Sequence, residues 1–206
     1  MRRAGVRTAI VLLSFAPGHA QHLSYGVAVG TALTKDFNNY SFPYAPGIVD
    51  FERPGGRGII VGPILEWRFS PHFSVEGDGL FRELRYEGSG GNHNPTVTWE
   101  FPVLAKYRFR ASRLQPFIEA GPAFRTTGNL NANPSHLGVA AGAGLGLRFS
   151  RLTIEPTLRY TRWQPDPSPY GIESRPDQIE LLAAFSYSPG SDEHPFGSRI
   201  FIGALC

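Results

Sequence analysis

Trp99-Glu100-Phe101-Pro102-Val103-Leu104-Ala105-Lys106-Tyr107-Arg108-Phe109 puts an uncharged residue at every odd position and all of its charges at even ones. Successive side chains of an extended strand point to opposite faces, so a period of two that segregates charge this cleanly predicts a strand with one apolar face. The same period recurs along the chain, giving eight candidate strands at 22–33, 57–70, 73–86, 96–109, 115–126, 136–149, 152–163 and 177–187. No segment carries the 3.6-residue period of an amphipathic helix. The connections alternate. Pro71-His72, residues 110–114 and Ser150-Arg151 have hairpin length, whereas 34–56, 87–95, 127–135 and 164–176 are longer and rich in Gly, Asn and Pro. This order predicts an antiparallel up-and-down meander with every long loop at one end and every tight turn at the other.

Separated by parity, the eight strands tell one story. The first parity includes Leu23, Tyr25, Val27 and Val29, then Val61, Leu65 and Trp67, and it ends with Ile179, Leu181, Phe185 and Tyr187; it is free of charge through the strand bodies. The second holds seven acids, Glu66, Glu76, Asp78, Glu100, Glu119, Glu155 and Glu180, and seven bases, Arg68, Arg82, Lys106, Arg108, Arg125, Arg148 and Arg159. Charge on that face therefore cancels.

Three features predict that the charged face points inward. It also carries Gly26, Ala28, Gly30, Gly121, Ala123, Gly142, Gly144 and Gly146, small residues that make room inside a narrow barrel. The apolar face places aromatics in two girdles around an aliphatic band. These are Tyr25, Trp67, Phe69, Phe73, Tyr107, Phe109, Phe149, Phe185 and Tyr187 toward the tight turns, and Phe81, Trp99, Phe101, Phe124 and Tyr160 toward the loops. Finally, the first charges on the apolar parity, Glu83, Arg162 and Asp177, come about ten residues from the tight-turn ends, the length a tilted strand needs to cross hydrocarbon.

Composition narrows the function. The 206 residues carry 20 Lys plus Arg against 17 Asp plus Glu, a formal +3. Arg2, Arg3 and Arg7 precede the apolar run Thr8–Ala16 and the small-residue site Pro17-Gly18-His19-Ala20, the pattern of a secretory signal peptide over 1–20 cleaved after Ala20. The remainder is neutral, so net charge gives no support to nucleic acid as a partner. Gln21 rather than Cys follows the cut, which excludes a lipoprotein. The single Cys206 rules out an internal disulfide framework and a Cys-based zinc site, and could pair only between chains.

Trp99–Tyr107 and Pro116-Phe117-Ile118-Glu119-Ala120-Gly121-Pro122, together with the signal segment, the loop alternation and a last strand ending in aromatics, resemble the small eight-stranded outer-membrane β-barrels of the OmpA transmembrane-domain and OmpX type over roughly 21–188. The resemblance implies an all-β, eight-stranded antiparallel transmembrane barrel in the outer membrane of a diderm bacterium, lodged in the lipid bilayer. It also implies delivery by the barrel-insertion machinery, with Phe185 and Tyr187 in the segment that machinery reads. Two departures stand out. Pro63, Pro102, Pro122 and Pro156 fall inside strands and predict bulges or broken ladders. Residues 189–206 follow the last strand and are expected to form a periplasmic tail.

A barrel of eight strands is filled by its own side chains, so an open pore is not expected, and the interior charges are read as a structural network. No catalytic residue, cofactor site or metal site is assigned. Of the six His, only His136 adjoins a candidate nucleophile, Ser135, and strand neighbours point apart. Asn129, Asn131 and Asn133 lack the carboxylates of a calcium loop. The four long loops are the expected site of any surface interaction. Loop 34–56, with Phe37, Tyr40, Phe42, Tyr44 and Phe51 among charges, reads either as an adhesive tip for an unknown extracellular ligand or as a cover for the barrel mouth. The rival readings are a lipid-A-modifying enzyme on the same barrel and a soluble lipocalin-like barrel with its faces exchanged.

Overall fold

A computed structural model of the chain describes residues 22–35, 40–45, 48–55, 58–88, 93–110, 112–126, 128, 134–166 and 175–189. The signal segment 1–20 and nearly all of the tail expected at 189–206, with Cys206, lie outside them. The described residues are all-β, with β1 (His22–Ala32), β2 (Tyr40–Ala45), β3 (Ile48–Gly55), β4 (Ile59–Arg68), β5 (Phe73–Asp78), β6 (Leu80–Gly88), β7 (His93–Arg108), β8 (Leu114–Arg125), β9 (Leu137–Phe149), β10 (Leu152–Trp163) and β11 (Asp177–Tyr187).

The sheet closes on itself. β1 pairs with β4 from His22↔Arg68 to Thr31↔Ile59 and, on its other edge, with β11 from Tyr25↔Tyr187 to Ala32↔Glu180. Between those limits every neighbouring pair is antiparallel, in the order β4, β5 with β6, β7, β8, β9, β10, β11. β5 and β6 together make one barrel strand, because both keep a common register against β4 and against β7. The barrel is therefore a closed eight-stranded antiparallel meander.

The strand expected at 73–86 is broken at Gly79, opposite Pro63. The Gly79 N–H donates to Pro63 O at 2.9 Å, but proline has no N–H to return, so the reciprocal bond of the ladder is missing. Gly62 accommodates the kink, since a Cβ there would lie 1.9 Å from Gly79 O. The other strand prolines behave alike. Pairing of β7 with β8 lapses between Pro102↔Ala123 and Ala105↔Ala120, and pairing of β10 with β9 lapses between Ile154↔Leu147 and Thr157↔Gly144, without a change of register. Missing donors thus interrupt ladders at the prolines, and no bulge forms in these strands.

Two boundaries differ from the sequence reading. Loop 34–56 contains the β2–β3 hairpin, whose second strand pairs with β6 from Glu52↔Gly88 to Gly55↔Arg85. In the connection expected at 87–95, β6 runs to Gly88 and β7 begins at His93, so the sheet rises further on this side. The alternation Tyr-Ser-Phe-Pro-Tyr-Ala over 40–45 is a strand signal, which Pro43 and the surrounding loop composition obscure.

Strand alternation becomes burial alternation, as in β4, where Ile60, Gly62, Ile64 and Glu66 are buried and Ile59, Val61, Pro63, Leu65 and Trp67 are exposed. The lumen is the core. Ala28, Ala32, Ile60, Ile64, Leu80, Leu182 and Ala184 form an apolar wedge on the side of β1, β4, β6 and β11, Leu104, Ala123, Ala140 and Trp163 form a second apolar cluster, and charged and neutral polar side chains occupy much of the rest.

Candidate functional site

The lumen is the one place in the described fold where many functional groups converge. Inward positions near the tight turns bring together Glu66 on β4, Glu76 on β5, Lys106 and Arg108 on β7 and Glu155 on β10. Lys106 Nζ donates to Glu76 Oε2 at 2.6 Å and to Glu155 Oε2 at 2.8 Å, and lies 3.6 Å from Glu119 Oε2. Arg108 bridges Glu66 Oε1 and Glu155 Oε1, each at 2.7 Å, and donates to Ser74 Oγ at 2.8 Å. Phe117 supplies an apolar wall for both cations, its ring centroid 4.5 Å from Lys106 Nζ and 5.8 Å from Arg108 Cζ.

Carboxylates of Glu66, Glu76 and Glu155 gather closely enough to converge on a metal ion. Lys106 and Arg108 already lie among them as their counter-charges, so the triad is a set of acceptors for fixed cations. Farther along the axis, Arg159 bonds Glu119 Oε1 and Asp78 Oδ2, both at 2.8 Å, and stands 3.8 Å from Glu76. Beyond it, Arg82 donates to Glu180 and lies with its Nε 3.1 Å from Glu100 Oε2.

At the loop end, described residues from two connections meet at Arg125. Arg125 Nε donates to Ser135 O at 2.6 Å and Arg125 Nη2 to Ser135 Oγ at 3.1 Å, while Ser135 N donates to Asp166 Oδ1 at 2.8 Å. Trp163, 2% exposed, lies beneath, its ring 4.3 Å from Arg125 Cζ and its Nε1 donating to Gln178 Oε1 at 2.7 Å. Sequence reasoning left this cluster unassigned. Trp163 stands on the inward parity, which was a usable signal, but Ser135 and Asp166 lie in non-periodic connections that offered none.

Of the fourteen charged residues singled out from the sequence, Glu66, Glu76, Asp78, Arg82, Glu100, Lys106, Arg108, Glu119, Arg125, Glu155, Arg159 and Glu180 are buried in the lumen. Arg68 and Arg148 are half-buried at the tight-turn mouth, where Arg68 Nη2 reaches Glu66 Oε1 at 3.6 Å. Charges of this kind are held by pairing, since removing one partner of a buried pair leaves the other uncompensated. Lys106 to Glu76, Lys106 to Glu119 and Arg82 to Glu100 join neighbouring strands, whereas Lys106 and Arg108 to Glu155, Arg159 to Asp78 and Arg82 to Glu180 cross the lumen between strands that are not neighbours and brace the cylinder. Lys106, only 2% exposed, is enclosed by the network.

The exterior is the converse. Tyr25, Trp67, Phe73, Trp99, Phe101, Phe109, Phe124, Phe149, Tyr160, Phe185 and Tyr187 are exposed on the outer wall, and Phe69, Phe81 and Tyr107 are half-exposed there. Toward the tight turns, Trp67, Phe69, Phe73, Tyr107 and Phe109 form a chain of ring contacts, the shortest 4.8 Å between Phe73 and Tyr107. Toward the loops, Phe81, Trp99 and Phe101 form a second set. Ser135 and His136 do not form a catalytic pair: the serine serves Arg125, and His136 Nδ1 lies 3.0 Å from Arg125 O on the exposed side.

No protein-family model matches the sequence, and no curated protein matches it. Solved structures do. The chain is similar to the outer membrane protein OprG from Pseudomonas aeruginosa, with 12% identity, a TM-score of 0.52, and coverage of 82% of this chain and 94% of that one. It is similar also to Neisserial surface protein A, with 10% identity, a TM-score of 0.53, and coverage of 81% and 96%. At such identities the likeness speaks for architecture, and it agrees with the closure, strand count and inverted faces described above: the chain has the fold of the small eight-stranded outer-membrane β-barrels.

Proposed function

We propose that this protein is an outer-membrane β-barrel of the OmpA transmembrane-domain and OmpX type, with a structural or surface-interaction role and without catalytic activity. One observation carries the reading: the outer wall is uncharged and apolar through its span, whereas the charges are turned into the lumen and paired there. Only a closed barrel can cross lipid with strands, because each unpaired backbone group in hydrocarbon costs several kcal/mol. The packed lumen makes the barrel a plug rather than a pore. Specific contacts are left to the connections at 34–56, 87–95, 127–135 and 164–176, and the bilayer and the barrel-insertion machinery are the partners of its biogenesis.

Membrane fractionation with gel mobility tests the assignment. The protein is expected in the outer-membrane fraction, released by detergent and not by salt, with an unheated band that migrates apart from the heated one. In planar bilayers the folded protein is expected to show no sustained ohmic conductance. Release by salt, with a single mobility before and after heating, would instead indicate a soluble barrel.

A further inference from the structure

At its tight-turn end the lumen opens between two arginines. Arg68 stands on the inward parity of β4, two residues beyond the buried Glu66, and Arg148 on that of β9, opposite the buried Thr153 of β10. With β5 and β6 taken as one strand, β4 and β9 lie four places apart in a ring of eight. The two side chains therefore face each other across the mouth, where their charges repel. Arg68 Nη2 lies 3.6 Å from Glu66, which Arg108 already bridges, and the buried Arg68 Nε has no hydrogen-bond partner among the described residues. Arg148 Nε is 3.5 Å from Ser150 O, at the rim. Arg110, Arg113 and Arg151 are exposed around them, and the described residues of the three turns contain no acid. The loop end differs, for Arg162 is bridged to Asp177 at 3.1 Å and Asp166 faces Arg125. A buried donor without an acceptor and two like charges held face to face both favour an anion between them.

The last strand delivers the chain to this place. Ser188 is buried in the mouth, its N–H donating to Arg151 O at 2.9 Å and its hydroxyl meeting Ser24 Oγ at 2.7 Å. β11 lies two places from β4 and two from β9, so the chain leaves the barrel midway between Arg68 and Arg148. Pro189 follows in a turn, and Pro-Gly, as at 189–190, is a pair that favours turns. Asp192 and Glu193, the only acids after Glu180, come four and five residues past Ser188, a reach of at most about 14 to 18 Å. A tether this short gives the two carboxylates a millimolar effective concentration over the mouth, which a free anion would have to match. The mouth opens along the barrel axis and not on the outer wall, so acyl chains laid on that wall could not carry a lipid phosphate into it.

We infer that Asp192 and Glu193 bind Arg68 and Arg148, so that the segment following β11 covers the tight-turn mouth of its own barrel. The inference rests on the closed barrel alone and goes beyond the outer-membrane reading, whose failure would leave it standing.

Zero-length carbodiimide coupling joins a carboxylate to an amine only where the two are in contact, so Arg68→Lys and Arg148→Lys in the full chain test the pairing. Peptide mapping is expected to find Asp192 or Glu193 joined to the introduced amine at either position, several-fold less in 1 M salt and at least fivefold less with Arg113→Lys. Equal yields at 113 and 148 would spread the acids over the turns and overturn the site, and joined dimers would give the mouth to a second copy. The second test keeps both arginines. Inorganic phosphate is titrated against their side-chain Nε–Hε NMR signals in micelles, and Asp192→Asn with Glu193→Gln is expected to lower the half-shift concentration about tenfold. A change below about twofold means that the segment does not occupy the mouth and overturns the inference. A shift produced by phosphatidylglycerol in the micelle and not by phosphate would assign the mouth to a lipid and overturn it as well.

Discussion

The outer wall and the lumen are built from alternate residues of the same strands, yet they follow opposite rules. On β10, Ile154, Leu158 and Tyr160 face outward while Glu155 and Arg159 are buried between them, so neighbours in sequence meet entirely different surroundings. Outside, each side chain answers separately to the surrounding medium, and an apolar residue of nearly any shape serves. Inside, each answers to particular partners: Lys106 serves carboxylates on β5, β8 and β10, and none of these can be exchanged alone. The outer wall should therefore tolerate changes that keep it apolar, and the lumen should respond to changes at single atoms.

The deepest test is removal of the central cation. Lys106→Met leaves Glu76, Glu119 and Glu155 without their shared counter-charge and is expected to destabilise the barrel by about 3 to 5 kcal/mol, read from the urea midpoint in lipid vesicles. A loss below about 1 kcal/mol would mean that water or a proton compensates the carboxylates, and the contrast between the faces would narrow. On the opposite face, Leu145→Arg puts a charge into lipid at mid-wall, with an expected loss of about 2 to 4 kcal/mol by the same assay. Unchanged urea resistance of the folded band would count against the assignment of the outer wall.

Volume rather than charge separates the faces next. A Cβ on Gly144 would come 2.4 Å from Phe117 Cζ and 2.6 Å from Pro156 O, so Gly144→Val overpacks the lumen. A loss of about 1 to 3 kcal/mol is expected, whereas Ala143→Val on the outer wall of the same strand should leave the urea midpoint in place. The smallest effect belongs to the exposed pair Arg162 and Asp177 at the loop-side rim. Arg162→Ala should leave stability unchanged within error, since exposed ion pairs contribute little.

Much of this was readable because a strand's period is set by its backbone. Parity alone separated Glu100, Lys106 and Arg108 from Trp99, Phe101 and Tyr107, and the strict alternation of loop lengths gave the meander. What parity could not give was choice of partner. Whether Arg159 meets Asp78 or Glu100 depends on the stagger of the closed sheet, and turn lengths do not fix that stagger. The apolar wedge of Ile60, Ile64, Leu80 and Leu182 lies on the inward parity too, but the charges there dominated the reading of that face. Gly79 interrupts its strand because Pro63 lies across from it, a relation between residues on different strands. The β2–β3 hairpin was hidden by the composition of the loop around it, and the contacts of Ser135 and Asp166 with Arg125 by the absence of any period.

One property of the lumen bears on how the molecule reaches its final state. Arg108 to Glu155, Arg159 to Asp78 and Arg82 to Glu180 all join strands that are not adjacent, so none of these bonds can form in a flat or half-curled sheet. The seam between β1 and β11, where Ser24 and Ser188 hydroxyls meet at 2.7 Å, joins the two ends of the described chain. A partly inserted intermediate would expose unsatisfied charges to hydrocarbon and an open edge at the same time. Curling, seam closure and ion pairing therefore depend on one another, and the closed cylinder is the first arrangement in which all of these pairs can be made at once.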